Sequence, residues 1–130
     1  MVASWISQAS FKPPGLTVAV AKDRAIEALM QVNDCFVVNI LKDDNYQSLL
    51  RHFLKRFPPG ANRFSGVNKL EGIAKGGPVL ADALAFLDCR VSKRLESPDH
   101  WIIYAIVEHG NVADAEAMTA VHHRKVGNHY

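Results

Sequence analysis

The stretch Ala3-Ser4-Trp5-Ile6-Ser7-Gln8-Ala9-Ser10-Phe11-Lys12-Pro13-Pro14-Gly15-Leu16-Thr17-Val18-Ala19-Val20-Ala21-Lys22-Asp23-Arg24 (residues 3–24) decides the fold. Ala3 to Ser10 reads as a strand of small and polar residues. Leu16 to Ala21 is apolar and β-branched, which suits a second strand. Pro13-Pro14-Gly15 makes a hairpin-like corner between them, because proline presets φ and glycine removes steric limits. The domain therefore opens with two strands joined by a tight turn.

Working outward, Arg24 to Gln31 turns helical, with Ile26, Leu29 and Met30 on one face and Asp23 placed to cap. Cys35 to Leu41 is an apolar run broken only by Asn39, the pattern of a fully buried strand. Tyr46, Leu49, Leu50, Phe53, Leu54 and Phe57 recur at helical spacing. Asp44 or Asn45 can cap that second helix, and Pro58-Pro59-Gly60 stops it. A loop rich in Gly and Asn runs to about Gly77. From Ala83 to Lys93 the chain alternates, with Ala83, Ala85, Leu87, Cys89 and Val91 facing one way. His100 to Val107 is apolar on both faces. The expectation is a mostly β, α+β domain with about five strands and two short helices. Short turns between neighbouring strands imply an antiparallel sheet, and a barrel is favoured because closure removes sheet edges.

The chain has 130 residues, 48% hydrophobic and 22% charged, which fits one globular domain spanning residues 1–130. Lys+Arg minus Asp+Glu is 15 − 13 = +2. That balance gives no general attraction to nucleic acid or to a membrane surface. The longest apolar runs, Leu16–Ala21 and Trp101–Val107, are far shorter than the ~18 residues of a membrane span. The first residues lack a secretory signal pattern. Cys35 and Cys89 both lie in apolar runs and read as free thiols in a reducing compartment, hence a cytoplasmic protein. Two strands apolar on both faces need cover on both sides, which points to a homodimer.

Four segments can carry chemistry. Residues 3–14 offer small residues and the short polar groups of Ser4, Ser7, Gln8 and Ser10 to a flat heterocycle; a solvated strand would look the same. Ala21-Lys22-Asp23-Arg24 joins a strand to a helix start, where free N–H groups and two cations suit a phosphate. It reads equally as a solvated cap. His100, beside Asp99 at the start of a strand, can titrate or orient a substrate, or simply cap. His122-His123-Arg124-Lys125 is a poor metal site, because neighbours on a strand point to opposite faces. No Cys-x-x-Cys, His-Glu-x-x-His, Gly-x-Gly-x-x-Gly or Gly-x-Ser-x-Gly pattern occurs, so no metal is expected and no Rossmann site or serine nucleophile is supported.

Together these segments resemble the flavin reductase-like, FMN-binding split-barrel family, whose fold is an antiparallel Greek-key split β-barrel. The resemblance rests on Ala3-Ser4-Trp5, Ser10-Phe11-Lys12-Pro13-Pro14, Ala21-Lys22-Asp23-Arg24, the run Cys35–Leu41 with its Asn39, and Asp99-His100. Pro98 stands where the family usually has Gly. One branch is more similar still. Residues 5–11, Arg51-His52-Phe53-Leu54-Lys55, Asn62-Arg63-Phe64-Ser65-Gly66-Val67 and Ala120–Lys125 look like the C-terminal flavin reductase module of cyanobacterial flavodiiron proteins. The resemblance implies an NAD(P)H:flavin oxidoreductase module. It would bind FMN and feed electrons to the flavodiiron core of the same polypeptide, which reduces oxygen.

By that resemblance Ala3, Ser4, Trp5 and Ile6 line the isoalloxazine and ribityl chain, and Gln8, Ser10 and Phe11 continue the wall. Ala21, Lys22, Asp23 and Arg24 form the phosphate end, and His100 lies near the nicotinamide or the flavin ring. The family normally has another strand before Ala3-Ser4. The chain is accordingly expected to lack its first barrel strand, as a module taken from a longer protein. The contrasting expectation is a split barrel that binds flavin or dimerises without turning over.

Overall fold

A computed structural model describes residues 1–121, so the segment His122–Lys125 lies outside the described residues. The main sheet has five antiparallel strands in the order β1-β2-β7-β6-β3. They are β1 (Ile6–Phe11), β2 (Pro14–Ala21), β3 (Cys35–Leu41), β6 (Ala83–Glu96) and β7 (His100–Val112). Two-residue strands β4 (Lys69–Leu70) and β5 (Val79–Leu80) form a separate small ladder inside the long loop. β2 and β3, consecutive among the main strands, are separated in space by the β6–β7 hairpin, which is Greek-key connectivity.

The opening hairpin forms as the sequence predicts, with Phe11 opposite Pro14 across the corner. Trp5 extends its ladder by one bond, its carbonyl accepting from the Ala19 N–H at 3.0 Å. Leu16, Val18 and Val20 of β2 face inward with Ala105 and Ile103 of β7. Phe36, Cys89, Val91 and Met30 complete this core. Burial pushes the Cys89 thiol up to about 12. Cys35 and Cys89 are both free thiols. Cys35 pairs with Arg90 and Cys89 with Phe36, so the two sulfurs lie on opposite faces of the sheet.

Five expectations about the elements need correction. The first helix is a five-residue 3₁₀ helix, Ala25–Leu29, and only Met30 just beyond it is fully buried. The turn Gln31–Asp34 cuts it short, with Asn33 in the left-handed region at φ 75° and the Asp34 carboxylate accepting the Gln31 N–H at 2.9 Å. Asp23 does not cap it: Arg24 holds the cap position, without a side-chain cap hydrogen bond. The second helix, α1, spans Tyr46–Phe53 and stops short of Phe57. Its last turn tightens as the Lys55 N–H bonds the His52 carbonyl, and Pro58 disfavours a helical Phe57. Asn45 is the N-cap residue, but its amide donates to the Asp82 carbonyl instead.

β3 is only half-buried, because it is an edge strand. Its edge and outer face are covered locally by the loop that ends in β5. The buried Asp88 carboxylate accepts the Lys75 N–H at 2.7 Å and the Gly76 N–H at 3.0 Å. Gly76 lies against the Phe36 backbone, where an added Cβ would sit 2.4 Å away. The Asn39 side chain, the one polar break in the run, accepts the Leu80 N–H at 2.8 Å and donates to the Pro78 carbonyl at 3.2 Å.

The β6–β7 register shifts between Val91 and Lys93, so Ser92 is an extra residue on β6. Beyond it the alternation reverses. Lys93 and Leu95 now turn outward, while Arg94 turns inward opposite Ile103.

Candidate functional site

The register brings several predicted residues to one end of the sheet. Ala21 pairs with His100, and the Lys22 N–H donates to the Asp99 carbonyl at 3.0 Å. The Trp5 and His100 rings lie 5.0 Å apart at 36°. Asp99 accepts a hydrogen bond from His100 Nδ1 at 2.8 Å, and this bond holds the Asp99 carboxyl below its ordinary range. With Nδ1 committed as donor, Nε2 is the free position of the imidazole. The histidine is itself anchored by Ser97, whose hydroxyl bonds both the His100 carbonyl and its N–H, at 2.8 and 3.0 Å.

Beside this cluster an open groove of about 280 Å³ runs over the outer face of the sheet. Trp5, Ile6, Ser7, Thr17, Ala19 and Ile102 line it. The lining is mostly apolar with one aromatic wall, as suits a flat heterocycle. A larger cavity of about 310 Å³ lies at the other end of β7, between Leu70, Ile73, Phe86 and His109, and holds none of the predicted residues.

The cations at the corner differ in how they are committed. Lys22 Nζ is 2.6 Å from Glu96 Oε1 and 5.6 Å from the Trp101 ring. Arg24 Nε is 3.8 Å from the Asp23 carboxylate. Because the helix that follows has only five residues, what this corner offers an anion is mainly these two side-chain charges rather than an aligned helix dipole.

Other predicted residues lie elsewhere. Ser10 and Phe11 sit at the hairpin tip, near Gly15, six residues along β2 from Ala21. At strand rise this is about 20 Å from His100. The Ser10 hydroxyl donates to the Pro13 carbonyl at 2.7 Å and lies 2.8 Å from the Tyr104 hydroxyl. Gly15 makes room for that contact, because a Cβ there would meet the Tyr104 ring at 2.7 Å. Gln8 and Ser4 are exposed, and Ala3 packs on the core.

Sequence reasoning missed Arg94, Glu27, Glu96 and Trp101 as a group. Arg94 bonds Glu27 and Gln31 with its two terminal nitrogens and stacks 4.1 Å from the Trp101 ring. This clamps the 3₁₀ helix to the sheet and so fixes the corner before it. Only the bulge at Ser92 turns Arg94 inward, and nothing local in the sequence announces it.

Residues 1–128 match the family described as "Flavin reductase like domain". The chain belongs to the flavin reductase-like family. It is 66% identical over all 130 residues to diflavin flavoprotein A 1 of Synechocystis sp., of which it covers 22%. It is 61% identical over the same span to putative diflavin flavoprotein A 3 of Nostoc sp., again covering 22%. The chain thus spans about a fifth of the length of these relatives. The NADH:FAD oxidoreductase SgcE6 of Streptomyces globisporus shares the fold with a TM-score of 0.78 at 27% identity, over 90% of this chain and 69% of that one. The fold is therefore the split barrel of flavin reductases. Among the described residues no helix is long and apolar enough to cross a membrane, and no cluster of three potential ligands could hold a metal.

Proposed function

We propose that the chain is the flavin reductase module of a flavodiiron protein. In this reading it holds FMN on the outer face of the sheet, takes electrons from NADH or NADPH, and delivers them to the diiron core of the same polypeptide. The observation that carries the reading is the cluster of Trp5, His100 and Asp99 beside an apolar groove on the outer face, with the Lys22 backbone joined to it through Asp99, in a chain of this family.

The residues fit the group. The groove is flat and mostly apolar, and two cations, Lys22 and Arg24, follow directly on the strand that supplies its Thr17 and Ala19. When bound, the flavin supplies hydride acceptance and onward electron transfer, which no side chain here can supply. Ala3, Ser4, Trp5 and Ile6 exclude water from one wall, and the exposed backbone before β1 is available to a heterocycle edge. Gln8 continues the strand just beyond groove-lining Ser7, whereas Ser10 and Phe11, at the hairpin tip, stand apart from this site. Ala21, Lys22, Asp23 and Arg24 take the phosphate. His100 orients the nicotinamide or the flavin ring through Nε2, with Asp99 fixing its tautomer.

The reading extends to a homodimer in the cytoplasm. Outer-face Leu95 and the tip residue Phe11 are 68% and 80% exposed, apolar surface that a second copy would cover. Two unpaired thiols suit a reducing compartment. The same exposed face favours a second reading, in which the domain binds flavin or dimerises without turnover.

Oxidation of NADH and NADPH at 340 nm, with and without added FMN, separates the two. FMN-dependent oxidation supports the reductase. Flavin binding without oxidation of either nucleotide supports the second reading.

A further inference from the structure

We propose that Glu96 tunes the grip of the phosphate corner by holding Lys22 as an exchangeable partner. This rests on the reading of residues 21–24 as the phosphate end. Glu96 closes β6, 74 residues from Lys22 in sequence, and its Oε1 lies 2.6 Å from Lys22 Nζ.

Three cations stand at this end of the sheet, and their side-chain exposures separate them. Arg94 is 10% exposed, with its two terminal nitrogens bonded to Gln31 and Glu27 and its guanidinium stacked on Trp101, and only the buried Nε lacks a partner, so it is held away from an incoming anion. Arg24 has a loose partner at 3.8 Å. Lys22 alone is both tightly paired and reachable, at 34% exposure, with Glu96 at 63%. The Lys22 backbone is fixed by its bond to Asp99, and its ammonium lies over the Trp101 ring on a flexible four-carbon stem.

A phosphate arriving at this corner must take Lys22 from Glu96. The released carboxylate rehydrates at little cost because it is mostly exposed. It then remains a like charge beside a dianion. Both effects weaken the hold on FMN, and neither touches a flavin without a phosphate. Glu96 thus keeps the grip on FMN loose, and with it the preference for FMN over riboflavin.

The test is a fluorescence titration of FMN and of riboflavin into wild type, Glu96→Gln and Lys22→Ala. An exposed pair of this kind predicts that Glu96→Gln lowers the FMN Kd roughly two- to fivefold. The riboflavin Kd should stay unchanged. Unchanged or weaker FMN binding by Glu96→Gln, with Lys22→Ala still selectively weakening FMN, overturns the role of Glu96 and leaves the phosphate corner standing. Equal tightening of both flavins by Glu96→Gln also overturns it. Equal effects of Lys22→Ala on both flavins, or no flavin binding by any variant, overturn the phosphate corner and Glu96 together.

Discussion

At the scale of single residues, His100 is held on three sides, by Asp99, by Ser97 and by the Trp5 ring. If it orients the reacting rings, His100→Ala should slow flavin reduction about tenfold or more, on the scale of lost positioning. FMN affinity should barely change; stopped-flow reduction beside a binding titration checks both. The Asp99–His100 bond also fixes a pH dependence. The folded-state pKa of Asp99 lies below its ordinary 3.8. Its contribution to stability is therefore present above the unfolded value and lost as pH falls through the folded one. In a carboxyl NMR titration, Asp99 should lose its charge below pH 3.8 in wild type and closer to that value in His100→Ala. An Asp99 titration unmoved by the substitution would contradict the bond. Lys22, Asp99 and His100 were legible as residues at or flanking the ends of β2 and β7, whereas Trp5 was expected inside a strand from Ala3 to Ser10 and instead precedes β1, which starts at Ile6. Arg94 and Glu96 were not, because one extra residue at Ser92 reverses the faces of β6.

At the scale of elements, the strands came through more faithfully than the helices. Apolar, β-branched runs mark β2 and the first eight residues of β7 plainly, though β7 runs on to Val112, and Cys35–Leu41 is bounded as its composition predicts. The helices shortened because tertiary contacts overrode periodicity. His52 Nε2 bonds the Arg63 carbonyl at 2.8 Å just as α1 ends, tying the following loop back on the helix. The burial of β3 was misread because an apolar run does not reveal whether a strand is central or at an edge. Its protection comes instead from Asp88, Gly76 and Asn39, three residues with no periodic signature. Gly76→Ala should cost about 1–3 kcal/mol, since a methyl group there must displace the Phe36 backbone. Urea denaturation measures this, and a loss below about half a kcal/mol would mean that the loop does not seat on β3.

At the scale of the whole molecule, one core holds the outer face in register. Val20, Val91, Ile103 and Ala105 are completely buried on its inner side. Ile103→Ala should destabilise the fold by about 2–5 kcal/mol through lost burial and the cavity left behind. Chemical denaturation checks the size. The fold class was legible because strand number, turn positions and the opening hairpin all agreed on an antiparallel sheet. The site was legible only at one end. The groove and the paired cations depend on register and on contacts between residues far apart in sequence, which local patterns do not carry.

The central claim is that the outer face holds a flavin by its ring and, at Lys22 and Arg24, by its phosphate. The most direct test is a fluorescence titration of FMN and riboflavin into wild type and Lys22→Ala/Arg24→Ala. Wild type should bind FMN more tightly than riboflavin, and the double substitution should weaken FMN about tenfold or more while leaving riboflavin within about twofold, as expected for losing two charge-assisted contacts. Equal losses for the two flavins, or equal affinities in wild type, would contradict it.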